Sequence, residues 1–296
     1  MRLNLVSVHE SAGRRLRQIA QGAALVVPML GIFSADALAT ITVFEAAGAN
    51  PLAITPTRDA FRTAVGGGTS AAANGNFGDV RREINWDGIP DAFSAPTLMP
   101  GNFFNVNSPR GALFTTPGTG FLASAKATSG TPILFGFPDD LQTFSAERLF
   151  AIVGSNTMEI NFRVPGTNTV ATTSAFGAIF VDLEDNSVNA FTKMEFFDAG
   201  NALIFSRNGL AAGNQGLTFL GGVANDGERI ARVVITTPDN FLLSNGVRAN
   251  EINDFVVMDD FLYATPSAVP EPEVWVMALA GLALVGWRSR KRTRRA

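Results

Sequence analysis

Between residues 149 and 263 the chain repeats one local theme. Short runs rich in Val, Ile, Phe and Thr are each closed by a turn of Gly, Asn, Asp or Pro. The pattern places strands near 149–153, 158–164, 175–182, 190–197, 202–207, 217–223, 228–236 and 254–263. Between them stand turn signals such as Pro165-Gly166, Ala199-Gly200-Asn201, Asn225-Asp226-Gly227 and Asn245-Gly246. Strands recurring every 8–15 residues or so leave no room for the crossover helices of a parallel sheet. The expected fold class is therefore all-β, a single β-sandwich with jelly-roll-like topology.

Upstream the pattern is less regular. Ile41–Glu45 reads as a short strand, broken by Asn50-Pro51 and Thr55-Pro56. Asp59–Val65 has the spacing of one or two helical turns, and residues 69–78 read as an exposed loop. Val80–Trp86 alternates as a strand and runs into a turn, Asp87-Gly88-Ile89-Pro90-Asp91. From Phe93 to Thr119 the chain is rich in Pro, Gly and Asn, with Phe103, Phe104 and Phe114 as the expected buried pegs. Gly120–Ala125 is a further short strand.

The two ends are of another kind. Arg2, Arg14, Arg15 and Arg17 precede a mostly apolar run from Ile19 to Phe33, and Ala37-Leu38-Ala39 supplies a small-x-small cleavage site. That is the pattern of a secretory signal peptide, 1–39, cut after Ala39 by a signal peptidase. Leu16-Arg17 after the Arg pair fits the general secretory translocase better than a twin-arginine route. At the other end stand Val269, Pro270, Glu271 and Pro272, then an uncharged run from Val274 to Trp287. A basic cluster of Arg288, Arg290, Lys291, Arg292, Arg294 and Arg295 follows. The prolines hold the chain extended, and the run is expected to form a transmembrane helix with cations on the cytoplasmic side. Its 14 residues span about 21 Å as a helix, short of a core of about 30 Å, and snorkelling Arg side chains bridge part of the gap.

This order of motif, helix and Arg cluster in 269–296 resembles the PEP-CTERM sorting signal of Gram-negative bacteria. The resemblance implies an exosortase-type protease that cuts near the motif. It implies transient anchoring in the inner membrane, then release to the cell surface or extracellular matrix. Glu273 departs from the small residue that often follows the motif. Within the remaining segment, 40–268, the stretches 82–93, 103–111 and 257–263 are similar to those of secreted bacterial proteins with such tails. That group implies an extracellular β-rich domain and no particular activity.

Composition narrows the chemistry. The chain has no Cys, and its one His is His9, inside the signal segment. A mature chain without either residue lacks disulfides, thiol nucleophiles, imidazole metal ligands and histidine-based catalysis. Without its ends the chain keeps 13 of the Lys and Arg and 22 of the Asp and Glu, a net charge of −9. That disfavours nucleic acid and suits divalent cations.

Three polar constellations remain. Asp182 and Glu184 alternate at a strand end and are candidate calcium ligands. Glu45 on the first strand and Asp259 and Asp260 on the last are a second candidate pairing. The arrangement resembles jelly-roll carbohydrate-binding modules, which hold structural calcium between first and last strands. Trp86, Asp87 and Asp91 are candidate sugar contacts, a ring to stack on beside hydrogen-bonding carboxylates. Asn102, Asn105 and Asn107 are a second such set. No local pattern selects the carboxylate pair of a glycosidase, and Gly66-Gly67-Gly68 lacks the Lys-Ser/Thr of a phosphate loop. The expected role is non-catalytic: adhesion or binding of extracellular polysaccharide. The alternatives are a purely structural matrix protein and a glycan-active hydrolase or lyase built around paired carboxylates or Tyr263.

Overall fold

In a computed structural model of the chain the described residues are 40–129, 133–185, 187, 190–225, 227, 229–269, 279 and 281–283. In chain order the first elements are β1 (Ile41–Gly48), α1 (Pro51–Val65), β2 (Asn76–Phe77), β3 (Arg81–Ile84), α2 (Phe103–Val106), β4 (Ala112–Thr115) and β5 (Gly120–Ala123). Then come β6 (Phe150–Val153), β7 (Thr157–Phe162), β8 (Ala171–Thr172), β9 (Ala175–Val181), β10 (Lys193–Phe197), β11 (Leu203–Asn208), β12 (Leu217–Ala224), β13 (Arg232–Thr236), β14 (Val257–Ala264) and β15 (Ser267–Ala268). Each strand expected from the sequence is present, with shifted ends. The fold is mostly β, and its ladders are antiparallel.

One sheet runs β1-β12-β9-β14-β3-β2, with β6 joining β14 and β5 joining β6; a second runs β11-β10-β13-β7-β4. Phe176 and Tyr263 from the first sheet meet Phe196 and Phe162 from the second, at 6.4 and 5.7 Å between ring centroids. Met194, Val233, Ile235 and Ile160 join the same buried cluster. The opposite face of the first sheet is also covered. Ile54 and Phe61 of α1, with Leu141 and Leu149, pack on Ile179, Val181, Phe219 and Leu262. That accounts for β9 and β14, which are buried along their whole length. Strands covered on both faces read as continuous apolar runs rather than alternating ones.

Helix α1 is twice the length that Asp59–Val65 alone suggests. Asn50 caps it, its side chain accepting the Leu52 N–H at 3.1 Å, and Pro51 takes the first turn, where its missing N–H costs nothing. Pro56 lies inside the helix, and the carbonyl it leaves unpaired belongs to the solvent-facing Leu52, 83 % exposed. At the other end Glu83 of β3 accepts both Nε and Nη2 of Arg62, at 2.8 and 2.6 Å, which ties the helix to the sheet edge.

The last long strand carries a β-bulge. Met258 faces Phe180 and Phe261 faces Ala178, so Asp259 and Asp260 together oppose Ile179 alone. The bulge frees the Asp259 carbonyl from the ladder, and Trp86 Nε1 donates to it at 2.7 Å. The indole itself stacks on Phe150, 4.0 Å between centroids with planes 3° apart, and meets Phe104 and Phe261 edge-on. Trp86→Phe keeps most of the apolar body and removes the donor. Urea unfolding followed by circular dichroism should show a loss of about 1–3 kcal/mol, the cost of a buried carbonyl left unpaired. An unchanged midpoint would mean that water takes the donor's place.

Candidate functional site

Trp86 is 1 % exposed, so the expectation that it offers a ring face to a sugar is incorrect. Its positive φ of 62° turns the chain sharply and sends the indole into the core at the point where a strictly alternating strand would have continued. The two carboxylates after it are also committed. Asp87 accepts the Arg148 N–H at 3.0 Å, and Asp91 pairs with Nη2 of the same, fully buried arginine. Burial pushes the Asp87 carboxyl up, opposed by the amides of Arg148 and Glu147 and the Ser145 hydroxyl. Asp87 and Asp91 thus hold Arg148 in place and are not free sugar contacts.

What the turn does build is a groove of about 270 Å³ between the residues after β3 and the α2 segment. Asn85, Pro90, Phe93, Phe103, Asn107 and Arg110 are among the residues that line it. Trp86, though almost wholly buried, also belongs to its lining. Asn105 is buried and structural: its Nδ2 donates to the Thr167 carbonyl at 2.8 Å and its Oδ1 accepts the Gly166 N–H at 3.2 Å. The Asn102 carbonyl accepts the N–H groups of Asn105 and Val106, at 2.9 and 3.0 Å, closing the α2 turn. Of the three asparagines expected to bind, only Asn107 lines the groove.

Arg110 was not singled out from the sequence, yet it is the cation of this groove. Its Nη1 donates to Ser108 Oγ at 2.7 Å, its plane lies over Phe104 at 4.9 Å, and its Nε is buried without a partner. Burial lowers its pKa; the nearby Tyr263 phenol opposes that shift and Arg82 adds to it. The available signal was a lone arginine in an Asn- and Phe-rich stretch with no acid within three residues. Tyr263 itself is fully buried and donates its hydroxyl to the Arg110 carbonyl at 3.2 Å, so it presents no base to a cleft. Burial raises its pKa.

The chain matches no protein-family model, no curated protein and no solved structure.

The calcium pairing of Glu45 with Asp259 and Asp260 is incorrect. β1 and β14 are separated by β12 and β9, three strand spacings or about 14 Å. Glu45 instead forks onto Arg207 of β11, Nε to Oε2 at 2.9 Å. Asp259 and Asp260 turn the other way, around Ser145. Asp259 Oδ2 accepts the N–H groups of Phe144 and Ser145 at 2.7 and 3.2 Å. The Ser145 hydroxyl lies 3.1 Å from Asp259 and 2.9 Å from Asp260. Asp182 and Glu184 lie within electrostatic reach of Asp254 and Asp140. Asp182 is buried and accepts the Gln215 N–H at 2.9 Å, while Glu184 is exposed. Asp254 Oδ2 accepts the N–H groups of Glu184 and Asp185, both at 2.8 Å. Among the described residues no three carboxylates converge to hold a metal ion.

These buried acids set a pH dependence. Burial, then the neighbouring Asp260 charge, raises the Asp259 carboxyl well above 3.8, so the folded protein keeps there a proton that the unfolded chain releases. Burial first, opposed by the Gln215 N–H and reinforced by Glu184, raises Asp182 to about 7. Both carboxyls favour folding least at high pH, since stability falls as pH rises above the unfolded value. Asp259→Asn can accept from Phe144 and donate to Asp260, as the protonated acid does. Its advantage over the wild type should grow with pH by up to about 1.4 kcal/mol per unit. Asp259→Ala should instead lose stability at every pH, because two N–H groups lose their acceptor. Asp182→Asn should flatten only the window between the ordinary carboxylate value and about 7. Chemical denaturation from pH 4 to 9 checks all three.

Proposed function

We propose that this is an exported surface or matrix protein whose core, a jelly-roll-like β-sandwich, binds extracellular polysaccharide without catalysis. The N-terminal segment 1–39 directs export, and a PEP-CTERM-type tail sorts the chain through an exosortase-type protease. Residues 1–39 with Ala37 and Ala39, the motif residues Pro270, Glu271 and Pro272, and the cluster Arg288–Arg295 lie outside the described residues. Among those described, no helix is long and apolar enough to cross a membrane. The sorting reading rests on the sequence. Val269, the residue before the motif prolines, is still tied to the core: β15 pairs with β8, and the Val269 N–H donates to the Val170 carbonyl at 3.3 Å.

The observation that carries the binding reading is the groove beside Asn107 and Arg110. It combines aromatic walls with polar side chains that the fold leaves open, the composition of a sugar subsite. Its lining contains no carboxylate, which disfavours a two-carboxylate hydrolase at this place.

Two outcomes are expected. Replacing Pro270, Glu271 and Pro272 by Ala should leave the chain at full mass in the membrane fraction of an exosortase-bearing host, where the wild type is shortened and released. In a glycan-array screen of the full chain, run with calcium and again with chelator, a defined polysaccharide should be retained. Retention lost with chelator would add a structural ion to the reading. Retention of no glycan in either condition would leave a structural matrix protein.

A further inference from the structure

We propose that the groove takes a sugar ring bearing one carboxylate, a uronate unit of an acidic polysaccharide, and that Arg110 receives that carboxylate. The inference rests on the polysaccharide-binding reading and names its ligand class. Three observations carry it.

The first is charge. In a core with a net charge of −9, eight arginines among the described residues have a carboxylate within 4.0 Å. Arg110 is not among them, and the charged group acting on it besides the Tyr263 phenol is a second cation, Arg82. A half-buried guanidinium without a counter-ion is costly unless something supplies one.

The second is geometry. Nε is turned inward near Gly75, where a Cβ would lie 2.9 Å from it, and Nη1 is oriented by Ser108. Ser108 is in turn 3.1 Å from Asn74 Oδ1. The donors left for a ligand are at the Nη end, a planar pair that suits a carboxylate. One cation matches one negative charge, whereas a doubly charged phosphate would be half neutralised.

The third is size. About 270 Å³ falls just below the roughly 300–1,000 Å³ typical of small-molecule sites, room for one ring rather than an oligosaccharide. Phe93 and Phe103, in edge-to-face contact at 5.3 Å between centroids, supply one apolar surface, and Asn85 and Asn107 of the lining offer partners for ring hydroxyls.

The test is calorimetric titration of the full chain in mild detergent with glucuronate oligomers, with their carboxyl-reduced counterparts and with sulfated ones. Glucuronate oligomers should bind best. Arg110→Gln should weaken that binding about ten- to hundred-fold, as loss of a charged hydrogen-bonded pair does, and weaken the reduced oligomer's far less. Asn107→Asp, a rim change outside the core packing, should weaken uronate binding selectively even if Arg110→Gln proves unstable. If both variants bind uronate like the wild type, or the sulfated oligomer binds more tightly, the assignment is overturned. Equal wild-type affinity for charged and reduced oligomers would overturn it while leaving polysaccharide binding intact. No binding to any of the three would overturn both.

Discussion

The hydrogen bond from the Trp86 indole to the Asp259 carbonyl is the contact on which the rest depends. A bulge in a central strand leaves a backbone carbonyl without its ladder partner at a fully buried position. The indole fills that need, and the same ring stacks on Phe150 and meets Phe104 and Phe261. It thereby couples β14, β6 and the α2 segment around a single side chain. The turn that aims Trp86 inward also fixes the direction of the residues after it. Asp87 and Asp91 fall on Arg148, and Ile89, Pro90 and Phe93 become one wall of the groove. The candidate site is a by-product of how the core is pinned.

Strand positions were legible in the sequence because β-rich runs and turn residues are local signals. The regular half of the chain, from β6 to β14, follows them closely. The misreadings have local causes of another kind. Alternation predicts that Asp259 and Asp260 face opposite sides; the bulge breaks the period of two, and both side chains end around Ser145. Trp86 ends an alternating strand in phase with Ile84, a pattern that favours the core, and only its closeness to Asp87 and Asp91 suggested a sugar contact. Asn50-Pro51 reads as a break, whereas an Asn cap followed by Pro in the first turn also starts a helix. Glu45 and Asp259 belong to the first and last long strands, yet strand order, which no local pattern encodes, puts two strands between them.

Arg110 escaped notice for the same reason. Sequence reasoning looks for clusters, and a functional cation can be conspicuous only by what is missing around it. Arg62 and Arg81 share Glu83, Arg207 meets Glu45, Arg232 meets Glu159, and Arg248 meets Asp140. Each of these partners is distant in sequence or on another strand, or is shared with an arginine that is, so the pairing is a tertiary fact. Among the described residues Arg110, Arg163 and Arg229 have no ion pair with an acid, and of these Arg110 is the one that lines the groove. In a chain with an excess of acids, a cation left unmatched is more informative than one left over in a basic protein would be.

The short pair β8 and β15 is held by a similarly small set of contacts. β15 has two residues, both exposed, and pairs only with the equally short β8. Arg229 donates to Ser267 and to Thr172, holding those two strands together from the side. Everything from Val257 to Ala264 is buried, while Ser267 and Ala268 are not. Among the described residues apolar burial, the main force that holds a domain together, therefore falls away after β14, and both large sheets are complete by Ala264.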